Sequence, residues 1–421
     1  MTFSPIPHTD RVATTLHVGA RPSFDALFSY GFRPFFLGAA VYAALAMAAW
    51  IVWIACTHAG LLSDWLPVAG SPYSWHAHEM LFGFAAAAIG GFLLTAVPNW
   101  TGTLPLSGAP LVFLFSTWLV GRLAMGISGL LPYPLVMALD VAFLPILGGF
   151  AARQLFTRPA MRNLVFLVLV AALTIGNLIF HLGNGGYISV DPLAAIRASV
   201  LVVILMIAVI GGRIIPAFTH NWLNNRGKPE RMPQRVPWLE KSALISLVLF
   251  VLLSAFGAPD ILVGIAALFA AVANGTRLVL WRGAATASEP IVWILHLGYG
   301  WIVTGLVLSA LAALTGAVPG ALVTHAFATG AIGTMIIAVM TRASLGHTGR
   351  PLVAPPRVVW VYYLITLAGV LRVAGPLLAP EHYVGALLAA ALAWIAAFGL
   401  FVIVYAPILT TPRVHTKVPH H

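Results

Sequence analysis

Apolar residues occur along this chain in long runs, rather than in the short alternating or three-to-four-residue repeats of soluble domains. Most of these runs reach the roughly 20 residues that an α-helix needs to cross the hydrocarbon core of a bilayer. Short segments rich in glycine and proline separate them, for example Gly183-Asn184-Gly185-Gly186. Because lipid offers the backbone no hydrogen-bond partners and the alternating pattern of barrel strands is missing, the runs predict transmembrane helices.

The pattern predicts twelve transmembrane helices and therefore an all-α, polytopic membrane protein. The predicted spans are 34–57, 76–98, 109–128, 133–154, 163–182, 192–215, 239–257, 260–281, 290–314, 319–341, 357–378 and 382–407. They form one membrane domain, residues 34–407, between an N-terminal segment 1–33 and a C-terminal tail 408–421. The longest polar loop, from about Thr219 to Lys241, is too short to be a domain. The first ~30 residues are polar and lack the apolar core of a signal peptide.

Basic residues outnumber acidic ones, 22 to 11, which gives a formal net charge of +11. In the predicted topology most of them flank loops on one side of the membrane: Arg11, Arg21, Arg33, Arg153, Arg158, Arg162, Arg213, Arg226, Lys228, Arg231, Arg235, Lys241, Arg277, Arg282, Arg342, Arg350, Arg357, Arg413 and Lys417. The opposite loops carry Asp64, Asp191, Asp260 and Glu381. By the positive-inside rule, both termini are expected in the cytoplasm. This bias accounts for the basic charge, so the sequence argues against nucleic-acid binding.

Seven of the 14 histidines lie inside or at the ends of the predicted helices. Ionisable groups are costly at membrane depth, so their presence there indicates function. Neutral imidazole is a common ligand of haem iron and copper, whereas the single cysteine, Cys56, leaves no disulfide or thiolate site within one chain. The predicted topology places an outer group, His76, His78, His181 and His325, and an inner group, His220, His296 and His347. The sequence therefore predicts a membrane metalloprotein.

His76 and His78 are two positions apart, which places a constraint on any shared metal. On a helix, residues i and i+2 point about 200° apart, so both side chains cannot reach one ion. Either the helix begins near His78 or the two histidines have different partners. Single histidines at a membrane interface also occur as hydrogen-bonded or solvated side chains, and that interpretation stays open for each of the seven.

Three arginines lie within predicted helices rather than in the basic loops: Arg122, Arg197 and Arg372. Each falls near the outer end of its helix. Arginine suits bidentate recognition of carboxylates, so these residues are candidates for holding haem propionates. The alternative is that they pair with Glu79, Asp140 or Asp191, or extend to lipid headgroups.

An internal similarity links helices two and three with helices ten and eleven. The segment Trp100-Thr101-Gly102-Thr103-Leu104-Pro105-Leu106 resembles His347-Thr348-Gly349-Arg350-Pro351-Leu352, and Gly121-Arg122-Leu123 resembles Leu371-Arg372-Val373. A weaker similarity relates Phe180-His181-Leu182-Gly183 to Leu295-His296-Leu297-Gly298. These similarities are typical of a repeated unit, and a four-helix unit used three times is one expectation.

The blocks Phe32-Arg33-Pro34-Phe35-Phe36-Leu37, Trp75-His76-Ala77-His78-Glu79-Met80-Leu81-Phe82-Gly83-Phe84 and Leu93-Leu94-Thr95-Ala96-Val97-Pro98-Asn99-Trp100-Thr101-Gly102 resemble the NnrS family of bacterial membrane proteins. The resemblance extends over essentially the whole chain. It implies a haem- and copper-containing protein of the inner membrane of denitrifying and related bacteria, associated with nitric oxide and tolerance of nitrosative stress. It does not imply a particular reaction.

The twelve-helix arrangement is also similar to the catalytic subunit of haem-copper oxidases and nitric oxide reductases, in which helices two and ten supply axial haem histidines. Here those helices contain His78 and His325. This chain departs from that pattern because the membrane region has no adjacent His-His pair, and because the inner histidines lie across a core of ~30 Å from the outer ones. The likeness therefore concerns architecture only.

The resulting hypothesis is that His78 and His325 bind haem b, that the three intramembrane arginines hold its propionates, and that His220, His296 and His347 bind copper. His76 and His181 are candidates for a non-haem metal beside the haem. Nitric oxide would enter through the lipid, and its reduction would require protons, for which Glu79 and Asp140 are candidate relays. Electrons would come from a quinol or a small donor.

Two alternatives remain at the level of sequence. A haem-based nitric oxide sensor or sink needs the same ligands without turnover. A twelve-helix transporter would use interrupted helices around a midplane site, with Gly90-Gly91 or Gly211-Gly212 as the breaks. The polar groups, however, cluster towards the two faces of the membrane.

Overall fold

The protein is built from helices, in a computed structural model that describes residues 21–61, 66–157, 161–228 and 231–414. Within these ranges there are no strands, and twelve helices are long and apolar enough to span a membrane. Their bounds are α1 Phe32–His58, α2 Pro72–Thr101, α3 Ala109–Gly126, α4 Tyr133–Thr157, α5 Met161–Asn184, α6 Pro192–Asn225, α7 Pro237–Ala255, α8 Asp260–Leu280, α9 Pro290–Thr315, α10 Gly320–His347, α11 Pro356–Leu378 and α12 Pro380–Thr410. The prediction of an all-α, twelve-helix membrane protein is confirmed.

The predicted ends of the chain fall mostly outside the described residues. Positions 1–20 of the N-terminal segment and 415–421 of the tail are not described, and neither are Asp64, Arg158 and Lys417 of the charge pattern. We use "inner" for the side on which α1 begins, and its cytoplasmic location remains a prediction.

Two helices extend well beyond their predicted inner ends. α6 continues to Asn225 rather than stopping near 215, and α10 continues to His347 rather than 341. In α6 the hydroxyl of Thr219 donates to the carbonyl of Ile215 at 2.9 Å, which keeps a polar side chain within the helical hydrogen-bond pattern. Hydropathy marks where the apolar stretch ends, whereas a helix can continue into water.

Both Gly-Gly pairs lie inside continuous helices instead of breaking them. A Cβ added at Gly91 would lie 2.8 Å from the ring of Phe36, and one at Gly212 would lie 2.5 Å from Nη2 of Arg277. The missing side chains therefore allow neighbouring helices to approach closely. The interruptions that a transporter would require do not occur at these positions.

Helices α2, α6 and α10 are four helices apart in the chain, and each contacts several other helices. α2 packs against α1, α3, α4 and α6, α6 against α5, α7, α9 and α10, and α10 against α9, α11, α12 and α1. This spacing agrees with the expectation of a four-helix unit. The weaker similarity, between the segments around His181 and His296, does not fit such a unit. His181 lies near the end of α5, whereas His296 lies near the start of α9, so the two are not at equivalent positions of their helices.

The similarity between α2 and α10 is confirmed by an unusual backbone feature. In α2 a π-helical stretch, Glu79–Ala85, begins immediately after His78, and in α10 another, Ala326–Gly333, begins immediately after His325. The wider π-helical turn is rare and frequently marks functional sites. The duplication thus includes the backbone around each predicted ligand.

Two further details accompany each π-helical stretch. A glycine, Gly83 or Gly330, follows five positions after the histidine, and a Cβ on either would lie 2.5 Å from an aromatic side chain. Each helix also ends in a Thr-Gly turn, where Gly102 and Gly349 have φ of 65° and 75°. Positive φ favours glycine, so this part of the repeat reflects backbone geometry.

Candidate metal centre

A buried group of polar side chains lies among α1 to α5, towards their outer ends. We call it the outer polar cluster, and it consists of Tyr42, His78, Glu79, Arg122, Asp140, Asn177 and His181. The side chains of His78, Glu79, Asp140 and His181 have 0% exposure. Charged groups buried in this way persist only where partners compensate for their lost hydration.

Arg122 compensates both carboxylates of the cluster. Its Nη1 donates to Oε1 and Oε2 of Glu79 at 2.8 and 2.7 Å, and its Nη2 pairs with Oδ1 of Asp140. The hydroxyl of Tyr42 donates to Oε2 of Glu79. A Cβ at Gly83 would lie 2.5 Å from Tyr42 and 3.1 Å from Arg122 Nη1, so this glycine leaves room for the network.

The second oxygen of Asp140 faces two imidazoles. Its Oδ2 lies 3.1 Å from Nε2 of His78 and 2.9 Å from Nε2 of His181, and it accepts a hydrogen bond of 2.8 Å from Nδ2 of Asn177. Ligand atoms of His78, Asp140 and His181 all lie within 4.8 Å of one another, which makes the three a group able to hold a metal ion.

The other nitrogen of each imidazole has a hydrogen-bond partner. Nδ1 of His78 lies 2.7 Å from Oε1 of Glu79, and Nδ1 of His181 lies 3.1 Å from the hydroxyl of Tyr133. Asn184 donates to that hydroxyl at 2.9 Å and so orients it. Metal-ligating histidines typically use their second N–H in this way, which sets the tautomer and the ring orientation.

Both nitrogens of His78 face acceptor oxygens: Nδ1 lies beside Glu79, and Nε2 lies 3.1 Å from Oδ2 of Asp140 and 2.9 Å from Oδ1 of Asn177. A neutral ring has a single N–H, so its other nitrogen is repelled by the oxygens it faces unless the ring takes a second proton or a cation lies between them. For His181 no such conflict arises, because Tyr133 accepts from Asn184 and can donate its own proton to Nδ1, which leaves Nε2–H to donate to Asp140. Two ligands ~2.1 Å from one ion at a right angle lie ~3.0 Å apart, close to the 2.9 and 3.1 Å separations here.

The charge balance of the outer polar cluster also favours a cation. Glu79 and Asp140 contribute two negative charges and Arg122 one positive charge, so the cluster carries one net negative charge when its histidines are neutral. Burial in a low-dielectric environment makes an uncompensated charge expensive. A bound metal ion, or a proton on one imidazole, would offset it.

His76 lies apart from this cluster, as expected for a residue two positions before His78 on the same helix. Its ring stacks on Trp50 with centroids 4.4 Å apart, and its Nδ1 is buried without a hydrogen-bond partner. His76 lies within electrostatic range of His325 and Arg372. The structure therefore associates His325 with His76, whereas the contacts of His78 are with α4 and α5.

His325 and Arg372 each leave one group available near His76. Nδ1 of His325 donates to the carbonyl of Ala321 at 2.7 Å, so Nε2 retains its lone pair. Nη1 of Arg372 is buried without a partner. We call His76, His325 and Arg372 the histidine-arginine site.

The three intramembrane arginines have different environments and do not converge on one ligand. Arg122 is engaged by the two buried carboxylates. Arg197 pairs with Asp191 at 3.0 Å, and both side chains are 53% exposed. Arg372 pairs with no carboxylate among the described residues, and its Nη1 is buried without a partner, as is Nε of Arg122.

The inner histidines are separated as well. Nε2 of His296 lies 2.8 Å from the hydroxyl of Thr219, His220 is exposed, and the ring of His347 stacks on Tyr30 with centroids 5.9 Å apart. Among the described residues they do not form a group with ligand atoms within 4.8 Å. Sharing a membrane face did not bring these side chains together.

Several members of the site have no strong signal in the sequence. Asn177 lies four residues before His181, a spacing that puts both on one helical face, and this could have identified it. Tyr42 and Tyr133 look like ordinary aromatic residues of apolar helices. Their roles follow only from helix packing.

Comparison with known proteins supports the resemblance seen in the sequence. A family model described as "NnrS protein" matches residues 26–413, which is nearly the whole chain. The search of curated proteins found no match.

Proposed function

Because the chain belongs to the NnrS family, we propose that it is a redox-active metalloprotein of the bacterial inner membrane that binds nitric oxide and reduces it. The observation that carries this proposal is the convergence of two imidazole nitrogens and one carboxylate oxygen in the outer polar cluster. Family membership supports the link to nitric oxide, and the cluster supports a resident metal ion.

The metal ion of the outer polar cluster would be held by Nε2 of His78, Nε2 of His181 and Oδ2 of Asp140. Imidazole donors suit copper and iron, and a set of two histidines and one carboxylate with open positions is that of non-haem iron(II). We take copper, implied by the family resemblance, as the expected ion. This assignment replaces the inner histidines with the outer cluster as the copper site.

The histidine-arginine site fits a haem b. His325 has its tautomer set by Ala321, and two buried nitrogens, Nδ1 of His76 and Nη1 of Arg372, have no partner in the protein. The imidazoles of His76 and His325 would hold the haem, and the guanidinium of Arg372 would pair with a propionate carboxylate. Held by two imidazoles, the haem would supply an iron that exchanges electrons and that binds nitric oxide only where one imidazole leaves it. The proposed pair is His76 with His325 instead of His78 with His325.

Reduction of two nitric oxide molecules to nitrous oxide and water consumes two electrons and two protons. Electrons would come from a quinol or a small donor. Tyr42, Glu79 and Nδ1 of His78 form a continuous hydrogen-bonded line from α1 to a metal ligand, which supports a role in holding and moving protons. Nitric oxide is small and apolar, so it would reach the site through the lipid.

One observation favours a second function, a nitric oxide sensor or sink without turnover. Arg122 contacts both Glu79 and Asp140, and such pairing keeps carboxylates ionised and poor as proton donors. A protein that only binds nitric oxide needs no proton delivery.

The test is metal and haem analysis of purified protein with matched variants. We expect His181→Ala to lose copper and keep the haem spectrum, and His325→Ala to lose the haem and keep copper. His382→Ala, at an exposed histidine on the outer side, is the control and should retain both. Wild-type protein without copper or haem would overturn the proposal.

Steady-state consumption of nitric oxide by the wild type, with a reduced quinol as donor, distinguishes the two functions. Sustained consumption that Glu79→Gln slows would support reduction. A single stoichiometric uptake, seen as a shift of the haem bands without turnover, would identify the sensor or sink.

A further inference from the structure

Arg33 and Arg350 both contact Thr411 at the inner end of α12, and a third arginine, Arg413, lies two positions beyond it. Nη1 of Arg33 donates to the carbonyls of Leu409 and Thr411 at 2.8 and 2.6 Å. Nη2 of Arg350 donates to the hydroxyl of the same Thr411 at 3.3 Å. The third is Arg413, two positions further on, and together they form what we call the inner arginine cluster.

The backbone next to Arg413 is held against the loop that carries Arg350. The N–H of Val414 donates to the carbonyl of Thr348 at 3.0 Å, which fixes the end of α12 to the loop after α10. A Cβ on Gly349 would lie 2.3 Å from the Val414 carbonyl and 3.5 Å from Cγ of Arg413. The positive φ of Gly349 and its missing side chain therefore permit this close approach.

The inner arginine cluster has an excess of positive charge. Where the structure describes the chain, arginine pairs with carboxylates involve Arg122, Arg197 and Arg277, and none involves the three cluster arginines. The charges of Arg33 and Arg350 repel each other. The carbonyls at the end of α12 offset about half a charge, which leaves more than two positive charges uncompensated.

Arg350 also has an unused donor. Its Nη1 is buried without a hydrogen-bond partner, while Nη2 is satisfied by Thr411. A buried charged donor without a partner destabilises the protein, because nothing replaces the water it has lost. Capping of α12 explains Arg33, but it explains neither this orphaned nitrogen nor the presence of Arg413.

We propose that the inner arginine cluster binds a phosphate group. Guanidinium groups match phosphate oxygens geometrically, and an anion with one or two charges would balance the excess and satisfy Nη1 of Arg350. Basic pockets between transmembrane helices on the cytoplasmic side bind the headgroups of anionic lipids. The phosphate belongs either to such a lipid or to a free phosphate ion, and the two sources give different experimental results.

The test compares lipid binding by the full-length protein and its variants, using native mass spectrometry and thermal unfolding in detergent. The probes are phosphatidylglycerol, cardiolipin, phosphatidylcholine and inorganic phosphate. Arg350→Gln removes the orphaned donor. Arg357→Gln is the matched control, because it removes the same charge from an exposed position on the same side. Arg33 is left unchanged because its contacts with α12 support the fold.

We expect the wild type to retain an anionic lipid in preference to phosphatidylcholine, and Arg350→Gln to weaken its binding about tenfold or more. Protection by inorganic phosphate alone, lost in Arg350→Gln, would identify free phosphate as the source. Equal losses in Arg350→Gln and Arg357→Gln would reduce the effect to general surface charge and overturn the proposal, as would equal binding of all probes. Copper and haem contents serve as a check on folding and do not depend on this site.

Discussion

Replacing Arg122 tests the electrostatic account of the outer polar cluster most directly. Arg122→Gln removes the charge that faces Glu79 and Asp140 and leaves the cluster with two net negative charges. Breaking a buried ion pair by removing one partner typically costs about 3–5 kcal/mol. Arg122 makes two charge-assisted hydrogen bonds with Glu79 at 2.8 and 2.7 Å and a third contact with Asp140, so we expect a loss in that range for metal-free protein.

The same change should have a smaller effect when metal is bound. A divalent cation would neutralise the two remaining carboxylates, so it would stabilise the variant more than the wild type. By linkage, the variant should then bind the ion more tightly, by about tenfold if the difference is ~1.4 kcal/mol.

Thermal unfolding in detergent, with chelator and with added copper, measures this dependence. Arg197→Gln is the control, since an exposed pair contributes about 0–1 kcal/mol. The double variant Glu79→Gln/Arg122→Gln restores the single negative charge and should recover part of the loss. If Arg122→Gln lowers the melting temperature equally with and without metal, or weakens metal binding, the charge argument is refuted.

Three further predictions concern single side chains. Gly83→Ala introduces a Cβ 2.5 Å from Tyr42, and we expect about 1–3 kcal/mol of destabilisation, measured by thermal unfolding against Gly149→Ala, where nothing lies within 4 Å. Tyr133→Phe removes the partner of the second histidine ligand and should weaken metal binding about tenfold in a titration; unchanged affinity would argue against that ligand. His325→Ala should abolish the haem absorption bands, while His220→Ala, at an exposed position, should leave the spectrum unchanged. If His220→Ala abolished the bands and His325→Ala did not, the histidine-arginine site would not be the haem site.

The sequence contained enough information for the membrane class, the helix number and part of the repeat. Each transmembrane span is a local property, because about 20 apolar residues with satisfied backbone groups define it without reference to any other helix. The sequence also showed that His76 and His78 cannot bind the same metal ion from one helix, since this follows from the helical pitch alone. The structure agrees, because the two histidines have different partners.

Contacts between side chains on different helices could not be predicted from the sequence. Arg122 had two interpretations in the sequence, a haem propionate or a carboxylate partner, and only the packing of α2, α3 and α4 places it between Glu79 and Asp140. The sequence did not identify Tyr42 and Tyr133 as members of the site. A tyrosine in an apolar helix has the same sequence context whether or not its hydroxyl contacts a polar neighbour.

The histidines show most clearly what the tertiary structure decided. The predicted topology separates positions near one face of the membrane from those near the other, but a face is wide, and two residues on it can lie on opposite sides of a helix bundle. His78 therefore joins His181 because α4 packs against both α2 and α5, while His296 and His347 remain apart. The sequence by itself predicted which end of a helix each histidine lies near, because that follows from local hydropathy; how the helices pack decided which of the histidines meet.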